Sequence, residues 1–292
     1  MCQGMERVSL EIFVHERYNK MEEEVMILFL IFQPDLKVEF KLYPEKDTFW
    51  AKEDIGHILI IENLSNEEWL LTGQSYGYGY TILNEKGEKV KSRLYIGYEG
   101  GDVRLPSGKK RVFLRLLNPS TFSPGKYRVF YVLEFYKKKE KEKKYVVNTD
   151  TIEFYVIEPP SEVLEVYKKV LDAHGEELKN AAMEFLEKYG DTPYAPWVLE
   201  DYINWYVKRY GTKEEYYQEI ERLFELYPHS YPALFEVVWL PPDRVAEIRK
   251  RHPEMEELLE WAERVSRNIS KRMEKEKERK RKALERLEKL RR

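Results

Sequence analysis

Five residues, Ile157-Glu158-Pro159-Pro160-Ser161, divide this chain of 292 residues into two regimes. Before them apolar and polar residues alternate with the period of two that a half-buried strand requires. After them Val163, Val166, Tyr167, Val170 and Leu171 recur at i, i+3, i+4, i+7 and i+8, the spacing of an amphipathic helix. Two successive prolines cannot donate ladder hydrogen bonds, so they close a strand, and they hold the chain extended as a stiff joint. Ser161 is the expected cap of the helix that follows. The pattern predicts a β-then-α chain of two domains, over residues 36–158 and 161–270. An N-terminal extension occupies 1–35 and a charged C-terminal helix 271–292. With no Gly/Ser linker between them, the two main parts are expected in a fixed relation.

About seven strands are legible before the junction. Leu36, Val38, Phe40 and Leu42 alternate with Lys37, Glu39 and Lys41, which gives one buried and one wet face. Ile58 to Ile61 is continuously apolar, as in a central strand. Tyr78 to Leu83 meets Asn84-Glu85-Lys86-Gly87 and returns through Val90 to Ile96, a hairpin with Gly87 at the left-handed position. Val112, Leu114 and Leu116 alternate with Arg111 and Arg115. Tyr127, Val129, Tyr131, Leu133 and Phe135 form the longest alternation, and Ile152, Phe154 and Val156 the last. An antiparallel β-sandwich closes such a set. Tyr127 follows the tight turn Ser123-Pro124-Gly125-Lys126, where immunoglobulin-like sandwiches place a tyrosine that bonds back across the corner.

The turns at Asn63-Leu64-Ser65, Asn84-Glu85-Lys86-Gly87, Pro106-Ser107-Gly108 and Pro124-Gly125-Lys126-Tyr127 resemble those of the intracellular proteinase inhibitor family, over roughly residues 55–136. The resemblance implies a small immunoglobulin-like sandwich and inhibition of an intracellular serine protease, without assigning a reactive loop. Two other stretches of this half bear on function. In Tyr76-Gly77-Tyr78-Gly79-Tyr80 an extended backbone puts Tyr76, Tyr78 and Tyr80 on one face. They either pack into the sandwich or offer a flat aromatic surface to a sugar, a base or a partner side chain. The mixed-sign run Lys137 to Lys144 reads as the solvated tip of a hairpin.

After the junction, three helical stripes follow one another: Leu178 to Tyr189, Leu199 to Tyr210 and Tyr216 to Tyr227. Thr192-Pro193 reads as a helix start, Thr212-x-x-Glu215 as a capping box, and Tyr227-Pro228, Leu240-Pro241-Pro242 and His252-Pro253 as helix ends. Phe185 to Ala195 echoes Leu223 to Tyr231 with Tyr189 and Tyr227 in register, a spacing in the helical-hairpin range. This junction resembles that of tetratricopeptide-type repeats over residues 176–240, though only about two repeats are visible. The resemblance implies an α-solenoid-like bundle that scaffolds a peptide or protein. A last helix is expected from Pro253 onward, docking through Met255, Leu258, Leu259, Ala262, Val265 and Ile269. Past Ser270 it is solvated and charge-laced, with a short pairing segment or an anionic contact as alternatives.

The net charge of −3 hides an asymmetry, because residues 271–292 carry twelve Lys/Arg against five Asp/Glu. Only this tail has a nucleic-acid-like footprint, so nucleic-acid contact is expected at most weakly and there. Abundant Lys and Glu with scarce Gln resemble the composition of proteins from hot environments. The single cysteine, Cys2, excludes an intrachain disulfide and a cysteine-rich metal site. Val25 to Phe32 is too short to span a bilayer and follows three glutamates. It reads as a buried element, with a degraded leader as the alternative and Met5, Met21 or Met26 as other starts. A cytoplasmic location is expected. The five histidines share no metal-binding or catalytic frame, and no nucleophile elbow, phosphate loop or dinucleotide fingerprint occurs. The expectation is a non-enzyme without catalytic, metal or cofactor-binding residues, an interaction or scaffold protein with a protein or peptide partner. A regulator of an intracellular serine protease, and a carbohydrate or small-ligand binder at the three tyrosines, are the alternatives.

Overall fold

The apolar run Ile58 to Ile61 lies in a strand whose two faces are both covered, and this strand joins the halves of the molecule. In the computed structural model of the protein, which describes residues 35–73, 80–90, 102–117, 122–140 and 143–291, β1 (Leu36–Tyr43), β3 (Ile55–Asn63) and β7 (Lys110–Leu117) form a three-stranded antiparallel sheet with β3 in the middle. The second sheet runs β2 (Thr48–Trp50), β10 (Ile152–Ile157), β8 (Gly125–Lys137), β4 (Trp69–Leu71), β6 (Val103–Leu105). β5 (Tyr80–Asn84) and β9 (Lys144–Asn148) also pair with β8, so this 13-residue strand is the spine of the sheet. All of these pairs are antiparallel except β2 with β10. Phe40, Leu42, Leu59 and Ile61 from one sheet meet Phe49, Val129, Tyr131, Leu133, Phe135 and Phe154 from the other in a common core. The β part is therefore a sandwich.

Several local expectations hold. Gly87 has φ +77°, and the Asn84 side chain accepts from the backbone N–H groups of Lys86 and Glu88. Tyr127 donates its hydroxyl to the Ser123 carbonyl at 2.7 Å. Lys137 ends β8 and Lys144 opens β9, and the two strands pair antiparallel. The returning strand expected over Val90–Ile96 falls mostly, and the N-terminal run Val25–Phe32 entirely, outside the described residues. Four short strands, β2, β4, β6 and β9, were not legible beforehand. Three of them have only three residues, too few to show a period of two.

Past the prolines the chain is helical: α1 (Ser161–Asp172), α2 (Glu176–Tyr189), α3 (Ala195–Asp201), α4 (Lys208–Tyr210), α5 (Lys213–Leu226), α6 (Tyr231–Glu236), α7 (Pro242–Arg251) and α8 (Glu256–Arg291). A π-helical segment, Tyr202–Val207, joins α3 to α4, and a 3₁₀ turn, Val237–Trp239, follows α6. Two expected starts are corrected. Ser161 already lies inside α1, whose cap position is Pro160, and its side chain caps nothing. Thr192 donates back to the Tyr189 carbonyl at 2.7 Å, and α3 begins at Ala195 with Pro196 in its first turn. The capping box of Thr212 and Glu215 forms as expected. The echoed tyrosines mark two stacked turns, for the Tyr227 hydroxyl donates to the Gly190 carbonyl at 2.8 Å.

Residues Gln33–Arg292 are one compact unit. The reason is the second face of β3. Ile58 and Ile60, with Tyr43, belong to the same apolar cluster as Val163, Phe185, Trp197, Leu234 and Leu259 of the helices. Val112 and Leu114 of β7 pack against that cluster too, whereas Phe113 packs on the sandwich core. Aromatic and polar contacts fix the fit. Tyr194 stacks on Tyr167 at 4.0 Å and donates to the Ala51 carbonyl. Tyr43 donates to the Pro228 carbonyl at 3.2 Å, and Lys110 pairs with Glu257 at 2.7 Å.

Carboxylates crowd the same junction. Burial, with the charges of Asp201 and Glu53, pushes Asp54 up to about 6. Burial does the same to Asp201, also to about 6, against the opposing pull of its Trp205 hydrogen bond. Burial, then Glu236, Asp201 and Asp54, raises Glu200 well above the usual range. A carboxyl raised in the folded state stabilises the fold fully below its unfolded pKa of about 4, and that contribution is lost as pH rises through about 6. At neutral pH these ionised groups weigh against folding. Asp201→Asn is expected to raise stability at pH about 7.5 by roughly 1–2 kcal/mol, with the gain vanishing below pH about 4. Melting curves of both proteins across that range check it, and equal stability at pH 7.5 would refute it.

Candidate functional site

The helical part carries a cleft of about 590 Å³, within the usual range for binding pockets. Three elements frame it. The first is the turn from α4 into α5, where Gly211 and the capping residue Thr212 reverse the chain and set Lys208, Lys213, Tyr216 and Tyr217 on one wall. The second is the 3₁₀ turn and the segment after it. There Val238 and Leu240 are buried while Trp239 stays 42% exposed. Pro241 ends this element, because neither it nor Pro242 can donate a backbone hydrogen bond. The third is α8, whose Ser266, Ile269, Ser270, Met273, Glu274 and Lys277 fall on one helical face. Ser266 donates to the Leu240 carbonyl and so ties the second element to the third.

A buried network stiffens the framework. Glu236 is 1% exposed. It accepts from the Asn204 amide at 3.0 Å and from the Tyr216 hydroxyl at 3.4 Å. Burial raises its pKa, against the Asn204 bond and the Lys208 charge. Tyr216 is pushed up in turn by burial and by Glu236. Asn204 comes from the π-helical segment, whose wider turn interrupts the helix where Trp205 stands 68% exposed. Such segments recur at functional sites.

The cleft is apolar inside and cationic at its rim. Lys208 sits 5.8 Å from the Tyr216 ring and 5.7 Å from the Trp239 ring, and Lys213 lies 5.2 Å from Tyr217. These contacts hold the ammonium groups without neutralising them. Arg244 also lies against Tyr217, but Glu214 and Glu221 pair with it. Among the described residues no carboxylate lies within ion-pairing distance of Lys208, Lys213 or Lys277.

The expected tyrosine site is not at this cleft. Tyr76 and Tyr78 lie outside the described residues. Tyr80 opens β5, half-buried, edge-on to His57 and Tyr131 at 5.8 and 5.7 Å. His57 is buried in the sandwich beside the Tyr131 hydroxyl, 2.6 Å from its Nε2, and burial pushes its pKa down to about 3. It is a neutral core residue. Among the described residues no group of three or more His, Cys, Asp or Glu side chains is placed to hold a metal, and no helix is long and apolar enough to cross a membrane.

No family model matches this chain, and no curated protein does. Solved structures resemble part of it. An ASH/PapD-like domain of human CEP192 matches at 16% identity over 48% of this chain and 99% of its own, with a TM-score of 0.29. The CARDB domain of the PF1109 protein from Pyrococcus furiosus matches at 16% identity over 43% of this chain and 94% of its own, with a TM-score of 0.26. The C-terminal domain of wzt matches at 13% identity over 44% of this chain and 77% of its own, with a TM-score of 0.32. Scores this low carry no argument, and the sandwich rests on the strand pairing and shared core described above.

The cleft residues were missed in the sequence. Trp239 sits in an apolar run, Val237 to Leu240, and reads as core. Lys208, Lys213 and Lys277 are three among fifty Lys and Arg residues. The local signals were the Gly211-Thr212 turn and the proline pair after Leu240, and these mark helix ends without saying that the ends converge.

Proposed function

We propose that this chain is a non-catalytic interaction protein that holds a segment of a protein partner in the cleft of its helical part. The observation that carries this reading is the pairing of exposed apolar side chains, Trp239 and Met273, with lysines that take no ion pair among the described residues. Large apolar groups left in water at a concave, rigid site are what interface cores are made of. The sandwich serves as the mount. Its immunoglobulin-like character is supported by the Tyr127 corner, and its outer face is spent on packing the helices. The direct test places a photo-crosslinking residue at position 273 in native extract and identifies what it captures. The expected result is one protein, crosslinked through one segment and lost with Trp239→Ala. Crosslinks spread over many unrelated proteins, unchanged by that substitution, would sink the reading.

A further inference from the structure

On that reading of the cleft, we infer that its occupant is an acidic amphipathic helix of the partner protein. The inference rests on how α8 continues beyond the cleft. The cleft-facing stripe Ser266, Ile269, Met273, Lys277 keeps helical phase, and Leu284 returns to the same face eleven residues after Met273. Met273 is 50% and Leu284 62% exposed. Between them the same face carries Lys277, Lys280 and Arg281, all exposed, so Met273 and Leu284 are two apolar points at the ends of a basic stretch. A second helix laid along α8 would seat apolar residues between Trp239 and Met273 and bring its own carboxylates to Lys277 and the basic residues beyond it, with Leu284 as a further apolar point.

The sign of the partner follows from the rim. Lys208, Lys213 and Lys277 surround the apolar patch, and among the described residues Glu274 is the one carboxylate of the lining. Beyond the cleft, Lys271, Arg272, Lys275, Arg279 and Arg286 take no ion pair among the described residues. Carboxylates flanking an apolar stripe meet this arrangement from both sides. A nucleic acid fits less well, because Glu274, Glu276, Glu278 and Glu285 interleave the basic residues and oppose a phosphate backbone. The last three also engage Lys280, Arg281 and Lys282 in i, i+3 and i, i+4 pairs.

The test titrates the full chain into two labelled synthetic helices of about 18 residues. They share one Leu/Phe stripe, and their flanks are either glutamate or lysine; an oligonucleotide of mixed sequence is a third probe. The protein variants are Met273→Asp and the set Lys208→Gln, Lys213→Glu and Lys277→Glu. Glutamine is used at 208 because a new carboxylate there would face buried Glu236. Unchanged circular dichroism and melting confirm the fold of each variant. The expected result is that the acidic helix binds, weakens in high salt, loses about tenfold or more in affinity with the charge variants, and is lost with Met273→Asp. The lysine helix should gain affinity for the charge variants. Preferred, Met273-dependent binding of the lysine helix would leave the cleft as an interaction site and overturn the acidic partner. Tight oligonucleotide binding lost with the charge variants, or self-association of the protein through Met273, would each replace the proposed occupant. Binding of no probe overturns the acidic helix, and the crosslinking experiment then decides separately whether the cleft binds protein at all.

Discussion

Gly56→Ala is expected to lower the stability of the whole chain by about 3 kcal/mol or more, although alanine is the better strand former. Gly56 lies in β3, where its missing side chain makes room for Tyr231 at the start of α6. A β-carbon there would sit 2.7 Å from the Tyr231 β-carbon, closer still to its ring, and 2.7 Å from the Tyr43 carbonyl oxygen. Neither neighbour can yield. Tyr43 contributes backbone, and Tyr231 is held by Trp197, stacked at 5.8 Å, and by the Ser230 cap of its helix. The substitution must therefore lift the helices off the sheet. Equilibrium urea unfolding measures the loss. Gly56→Ala paired with Tyr231→Gly should fall short of the sum of the two single losses, because the clash is shared. A wild-type midpoint for Gly56→Ala would show that the helices are not seated on this strand.

The second large effect changes sign with context. In the intact chain Ile58→Lys with Ile60→Lys is expected to cost at least about 4 kcal/mol, since it removes two buried side chains and places charge in a dry core. In a fragment ending at Ile157 the same two substitutions are expected to help. The fragment bares Tyr43, Ile58, Ile60, Val112 and Leu114, which the helices cover in the full protein. An exposed patch of that kind drives association. Size-exclusion chromatography and dye binding should show the wild-type fragment self-associating and the double-lysine fragment monomeric. A wild-type fragment that is monomeric and binds no dye would contradict the shared core. Together with Gly56→Ala, this experiment separates the contribution of the seam from that of the sandwich.

The seam also explains which parts of the chain were legible. Alternation at Tyr127 to Phe135 gave both the strand and its buried face, because β8 has the sandwich core on one side only. The same alternation at Val112, Leu114 and Leu116 gave the strand but not its partner. In β7 Val112 and Leu114 turn toward the helices while Leu116 stays exposed, and Phe113 packs on the sandwich core. The continuous run at Ile58 to Ile61 was the one sign that β3 is buried on both faces. It could not say that the second cover is helical rather than another sheet.

The functional site divides in the same way. Of the tyrosine stretch, Tyr80 lies against the core residues His57 and Tyr131, while Tyr76 and Tyr78 lie outside the described residues. The cleft residues have no local signature, because Lys208, Trp239 and Met273 lie on three elements far apart in the chain. By itself the sequence determined where strands give way to helices, the capping box at Thr212, the corner at Tyr127 and the long charged helix at the end, all of which depend on neighbours within a few residues. Only the tertiary structure decided that the helices take one face of the sheet into their own core, and that two helix-linking turns and one face of α8 converge on an apolar cleft rimmed with lysines. Those features arise from contacts between residues tens to hundreds of positions apart, and local periodicity carries no information about which distant surface will cover a face or leave it open.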